Sequence, residues 1–148
     1  MKKTNDLFRS YEGVADKAEG AFQEMQKTHG ACIKCEPHCS DCCHAVFGLF
    51  LIEAGYLKEH FDQLSDEEKK AALLRCEQAE KSLERLQNML REHEDDPQMQ
   101  AYIMSRERIP CPLLGENQEC VLYLHRPITC RVYGIPTKVQ GKARVCWK

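Results

Sequence analysis

The sequence predicts a mainly α-helical fold, a helical hairpin or bundle carrying a loop-rich, cysteine-bearing region at one end. Three observations predict it. Apolar residues recur at helical spacing through residues 5–28 and 65–93, and a serine–glutamate capping box opens the second stretch. After Cys111 the periodicity breaks down into short pieces punctuated by glycine and proline. The 148 residues fit a single domain spanning 1–148, long enough for a hydrophobic core and too short for two ordinary ones.

Each element has its own justification. Leu7, Tyr11, Val14, Ala18, Phe22 and Met25 fall at i, i+3 and i+4 steps, and Gly30 supplies a stop, so residues 1–30 hold an N-terminal helix. Ala45 to His60 reads as a short apolar helix weakened by Gly48 and Gly55. Ser65, with Glu68 three residues later, is a capping box that opens a long spacer helix over 65–93. Its seam is Ala72, Cys76, Ala79, Leu83, Leu86 and Leu90, in alternating steps of four and three. Asp95-Asp96-Pro97 ends that helix and starts another, which stops before Pro110. From Cys111 onward, Gly115, Gly134 and Gly141 with Pro112, Pro127 and Pro136 predict turns, a short hairpin or a helical turn.

Composition narrows the function. The 43% hydrophobic share includes ten cysteines, and without them roughly a third of the chain is aliphatic or aromatic, lean for a globular domain. Net charge is −2 and the isoelectric point about 6.3, which excludes a globally basic nucleic-acid binder. No apolar run reaches the ~18–20 residues that cross a bilayer. Met1 to Asp6 has no apolar stretch or cleavage site behind it. The expectation is a soluble cytoplasmic protein with neither a nucleic-acid nor a membrane partner.

In the cytosol thiols stay reduced, so clustered cysteines read as metal ligands or redox groups before disulfides. Cys32, Cys35, Cys39, Cys42 and Cys43 lie within twelve residues, and Cys111, Cys120, Cys130 and Cys146 occupy the last quarter. The two groups suggest one composite site joining residues 32–43 to the C-terminal quarter. Thiolate is a soft ligand that selects zinc, copper(I) or iron–sulfur units over magnesium or calcium. Neighbouring side chains diverge, so adjacent Cys42 and Cys43 favour a polynuclear unit, two sites side by side, or one non-ligand. Cys76 sits on the apolar helix seam, where core packing is expected. Cys32 forms a Cys32-x2-Cys35 pair and is a ligand, a spare or a redox thiol.

Cys35-x3-Cys39-x2-Cys42-Cys43, then Cys111-Pro112-Leu113-Leu114, then Cys120-x2-Tyr123-x2-Arg126-Pro127-x2-Cys130-Arg131, resembles the YkgJ-type cysteine-cluster proteins over residues 32–146. That family is described as zinc- or iron-chelating, or as iron–sulfur containing. The resemblance implies chelation without a settled reaction. It implies eight ligands: Cys35, Cys39, Cys42, Cys43, Cys111, Cys120, Cys130 and Cys146. Many relatives have two residues between the first two cysteines where this chain has three, which leaves the first role open between Cys35 and Cys32.

Charge gives a separate signal. After Glu119 the chain has no acidic residue, while Arg126, Arg131, Lys138, Lys142, Arg144 and Lys148 are basic. A basic surround stabilises an anionic thiolate–metal unit; alternatively, this is a basic tail facing the acidic helix around Glu77 to Asp96. Arg126 and Arg131 flank Cys130 and are candidates to neutralise a bound group, with Tyr123 able to shield a ligand sulfur. His38 and His44 bracket the first cluster and each could replace a thiolate, though exposed loop positions are expected for them, as for His125. No P-loop, Gly-x-Gly-x-x-Gly or Gly-x-Ser-x-Gly motif is present. The expected function is metal binding, first as an iron–sulfur cluster in electron transfer or redox sensing with an unidentified partner. The alternatives are a zinc module with two four-thiolate sites, or metal storage and delivery.

Overall fold

The computed structural model describes the backbone of residues 2–36, 38–139, 141–144 and 146. It is mainly helical. Five α-helices run in chain order as α1 (Lys2–His29), α2 (Leu51–Phe61), α3 (Asp66–Glu92), α4 (Pro97–Arg106) and α5 (Ile128–Val132). They are followed by one small antiparallel hairpin, β1 (Thr137–Val139) and β2 (Lys142–Arg144), in which Lys138 faces Ala143. No helix among the described residues is long and apolar enough to cross a membrane. The chain divides into two compact units, the first made of Met1–Cys39, Leu49–Gln63 and Leu122–Lys148, the second of Ser40–Gly48 and Leu64–Val121.

In the first unit α1 packs on α2 and α5. The buried stripe of α1 is Tyr11, Ala15 and Ala18, while Leu7 and Val14, expected inside, are exposed. The stripe turns inward at Ala15 rather than Val14 because a methyl side chain lets the ring of Tyr56 approach. Tyr11, Ala15 and Tyr56 form the core, with Phe8, Ile52 and Ile128 against it. The Tyr11 and Tyr56 rings lie 5.0 Å apart and Phe8 meets Tyr56 edge-on at 5.5 Å.

Helix α2 begins at Leu51, not at Ala45 as the apolar run suggested. The reason lies in the second unit, where the backbone around Ala45 is already committed. Ala45 pairs with Arg108, and the His44 carbonyl accepts from the Ile109 amide at 3.0 Å. The new start makes Glu53 the third helical residue. Its carboxylate is 3% exposed and accepts from the Phe50 amide and from the Ile128 amide, both at 3.0 Å. One carboxylate therefore satisfies an orphan amide at the start of α2 and another at the start of α5, where helix dipoles favour negative charge.

Buried cations complete this unit. Arg131 donates from Nε to the Arg126 carbonyl at 3.0 Å, from Nη2 to the Leu124 carbonyl at 2.7 Å, and from Nη1 to Glu19 at 3.2 Å. Arg126 reaches the same Glu19 oxygen at 2.8 Å and lies over the Tyr123 ring at 4.0 Å. At the other end of α2, His60 and His125 stack with ring centroids 3.4 Å apart and planes 7° from parallel. The Tyr56 hydroxyl donates to Glu12 at 3.0 Å and accepts from His125 Nδ1 at 3.2 Å. Burial and the Glu12 bond push the Tyr56 phenol up to about 12.

The second unit is the expected helical hairpin. Ser65 caps α3: its hydroxyl accepts from the Glu68 amide at 3.3 Å, and the Glu68 carboxylate accepts from the Ser65 amide at 3.0 Å. Asp96 caps α4 by accepting from the Gln98 and Met99 amides, with Pro97 at the first helical position. Ala79, Leu86 and Ile109 form the core, with Val46, Leu90, Ile103 and Met104 around them. Of the expected seam, Ala72, Ala79 and Leu86 are buried and Leu83 is 39% exposed. The ten-residue α4 covers too little of the 27-residue α3 to bury it all.

Two outcomes follow. Replacing Glu53 with Gln turns a donor toward one of the two amides and costs about 2 kcal/mol of stability, measured by urea unfolding at neutral pH. For His125, burial, His60 and Arg131 lower the pKa against the smaller opposing pull of Glu12. The folded state then binds fewer protons than the unfolded one as pH falls below ~6.5, so this site withdraws stability between there and its lowered folded value. The wild-type urea midpoint drops more than that of His125→Asn between pH 7.5 and pH 5.5; equal drops would show the stack is uncoupled from folding.

Candidate metal centre

Among the described residues, all ten cysteines are held as thiols. The eight that match the cysteine pattern divide four and four: Cys42, Cys43, Cys111 and Cys120 lie in the second unit, Cys35, Cys39, Cys130 and Cys146 in the first. Each set is considered by itself.

In the second unit the backbone gathers the four. A 3-10 turn over Asp41–His44 carries Cys42 and Cys43, with the Cys43 amide donating to the Ser40 carbonyl at 3.0 Å. The Cys111 amide donates to the Cys43 carbonyl at 2.7 Å, so these two residues are bonded directly. Leu114 pairs with Cys120, and the Leu114 amide returns to the Cys111 carbonyl at 3.0 Å. Outside the turn, Arg108 grips Asp41 at both its carboxylate (2.6 Å) and its carbonyl (2.9 Å). His44 is half-buried rather than exposed, and its Nδ1 donates to the Ser40 carbonyl at 2.9 Å.

The thiols sense one another. Interaction of the Cys43 S–H with the Cys42 sulfur, then burial, then the charges of Cys42, Cys120 and Cys111 all push the Cys43 thiol up. Burial raises Cys111, with Cys42 and Cys76 adding to it and the amides of Leu113 and Leu114 opposing. Cys42 and Cys43 share one 3-10 turn, with Cys42 near enough to raise the Cys43 thiol. Cys76, expected only to pack on the helix seam, is half-buried and within electrostatic reach of Cys111.

In the first unit Cys35 lies against Gly134, just past α5. A Cβ at residue 134 would meet the Cys35 Cβ at 2.8 Å, its Sγ at 3.2 Å and Phe22 at 3.3 Å. Only glycine allows this approach. Cys130 sits in α5 close enough to Tyr11 to raise its phenol, after burial and Glu53, while Arg131 opposes. The Tyr11 hydroxyl is buried and makes no full hydrogen bond among the described residues, although Glu53 is near enough to raise its phenol. Cys39 and Cys146 are half-buried in the same unit, and Cys32 is exposed at the end of a 3-10 turn over Gly30–Cys32.

The candidates for neutralising a bound group hold other partners. Arg126 and Arg131 spend their donors on Glu19 and on carbonyls, which ties α5 to α1. Tyr123 is 57% exposed beneath Arg126. Of the basic tail, Lys148 and the side chain of Arg144 lie outside the described residues. Sequence reasoning missed Glu19 and Glu53. Glu53 carried a readable signal, a glutamate at the third position of a helix, once the helix start was placed at Leu51.

An all-sulfur donor set fits a soft metal. Among the described residues no three Cys, His, Asp or Glu side chains already converge into a metal cage, so binding has to draw the thiols inward. Residues 34–147 match the family model of the CxxCxxCC zinc- or iron-chelating domain, a span that includes Cys35 and leaves out Cys32. No curated protein and no solved structure matches the chain. With the match covering most of the sequence and all eight patterned cysteines, this chain belongs to the CxxCxxCC family of zinc- or iron-chelating domains.

Proposed function

We propose that this chain binds one zinc-class ion in each of its two four-cysteine sets, and that the metals substitute for hydrophobic core in a module built for interaction rather than catalysis. The observation that carries the reading is the backbone that gathers the second unit's cysteines, with the Cys111 amide bonded to the Cys43 carbonyl at 2.7 Å and Leu114 paired with Cys120. With Zn–S bonds of about 2.3 Å, the sulfurs of one tetrahedral site lie about 3.8 Å apart, so a cation closes thiols that the backbone already brings near one another. A lean core supports the same reading, since among the described residues no large side chain is fully buried.

In this reading Cys42, Cys43, Cys111 and Cys120 hold one ion, and Cys35, Cys39, Cys130 and Cys146 hold the other. Each divalent ion offsets half the charge of four thiolates. The chain contributes the backbone bonds that fix thiol spacing and the Gly134 contact that seats Cys35. Thiols whose neighbours raise one another's pKa give up their protons only to a cation, so binding releases protons and orders the loops.

A second reading is an iron–sulfur protein with a redox role. The family description, which allows iron as well as zinc, supports it, since iron–sulfur clusters are held by cysteine thiolates. Metal and sulfide analysis of protein purified without oxygen separates the two. About two zinc per chain and no colour supports the zinc module. Iron with labile sulfide and brown colour overturns it in favour of the cluster.

The two sets also respond separately to substitution. Cys111→Ser removes about one metal equivalent, Gly134→Ala weakens the other by displacing Cys35, and Cys76→Ser keeps both. Metal content by mass spectrometry of the native protein reads each result; loss of both equivalents from either single change would contradict two independent sets.

A further inference from the structure

The second unit contains a cavity of about 300 Å³ with Cys111 in its wall, beside the four-cysteine set. Its lining has two characters. Arg75, Gln78 and His44 are polar, whereas Ala79, Pro110 and Leu114 are apolar. Arg75 is half-buried and donates from Nε to the Pro112 carbonyl at 2.8 Å. That bond aims the guanidinium, and neither terminal amino group has a hydrogen-bond partner among the described residues. Among the described residues no carboxylate forms an ion pair with Arg75.

A half-buried guanidinium with an open fork is matched by a planar oxyanion, which it binds through two parallel charge-assisted bonds. The apolar wall calls for a carbon skeleton, and the volume, about ten waters' worth, suits a molecule of that size. The exposed Glu116 on the rim opposes an anion. We infer that this cavity is a binding site for a small organic carboxylate, held by Arg75 and Gln78 against the Cys111 side of the thiol set. The inference stands on the cavity alone and does not require that the metal reading be right.

Citrate is the probe, added to the full-length, reduced chain as purified, with its metal content left in place, and followed by calorimetry. Citrate binds at one site. Arg75→Gln weakens binding roughly tenfold or more, the loss expected for a charge-assisted pair. Because Arg75 also holds the Pro112 carbonyl, Gln78→Leu provides a variant that leaves that bond intact and still weakens citrate. Glu116→Gln tightens binding by about two- to threefold through removal of a like charge.

Position is read by alkylation. Bound citrate slows iodoacetamide labelling of Cys111 several-fold and leaves the exposed Cys32 unchanged. Absence of citrate binding, binding unaffected by Arg75→Gln and Gln78→Leu, or equal binding of inorganic phosphate would each overturn the proposal. Metal stoichiometry measured on the same preparation reports on the metal reading separately, so failure of one is distinguishable from failure of the other.

Discussion

A short chain only about a third aliphatic or aromatic has little apolar surface to set against the cost of ordering its backbone, about 1–2 kcal/mol per residue. Among the described residues, two buried cores of three residues each, Tyr11-Ala15-Tyr56 and Ala79-Leu86-Ile109, form the connected apolar clusters. Everything else in the structure answers that constraint. Glu53 closes two helix starts with one carboxylate, and Glu19 gathers two guanidiniums. Each is a polar group placed where its hydrogen bonds are nearly all made, which is the condition under which burying charge does not cost more than it returns.

The same constraint explains the use of sulfur. In residues 34–50 and 107–122 the elements are single turns and isolated bridges, held by a few backbone bonds such as Cys111 to Cys43. A segment of this kind gains from any cross-link that joins residues far apart in sequence, because loop closure is charged to the unfolded chain. Reduced thiols supply none by themselves. A soft cation shared by four of them does, and it does so without the oxidising environment a disulfide requires.

Much of the fold was legible because local chemistry decided it. The Ser65 and Asp96 caps, Pro97 at a helix start and the break before Pro110 each express a bond or clash within four residues. Where tertiary pairing decides, the sequence pattern misleads. Ala45 to Phe50 has the composition of a helix, yet its first residue is taken by pairing with Arg108, and α2 waits until Leu51. The inward turn at Ala15 likewise depends on where Tyr56 arrives, which no spacing rule on α1 contains. For the candidate site, the family and its chelating character were legible in the cysteine spacings. The distribution of those ligands over two units was not, since it depends on which non-local strands pair.

Adjacency of Cys42 and Cys43 sets a local rule against a backbone constraint. In a strand successive side chains point to opposite faces, and in a helical turn they stand roughly 100–120° apart, so two neighbouring thiols are poor partners in either. Here the 3-10 turn ends at His44 and the chain straightens at Ala45, whose φ of −78° and ψ of 136° are extended. The Cys43 amide is tied back to Ser40 while its carbonyl is held forward by Cys111. Cys43 is thus fixed by backbone bonds on both sides while Cys42 stays within its electrostatic reach, and in the two-site reading the pair forms one edge of the donor set.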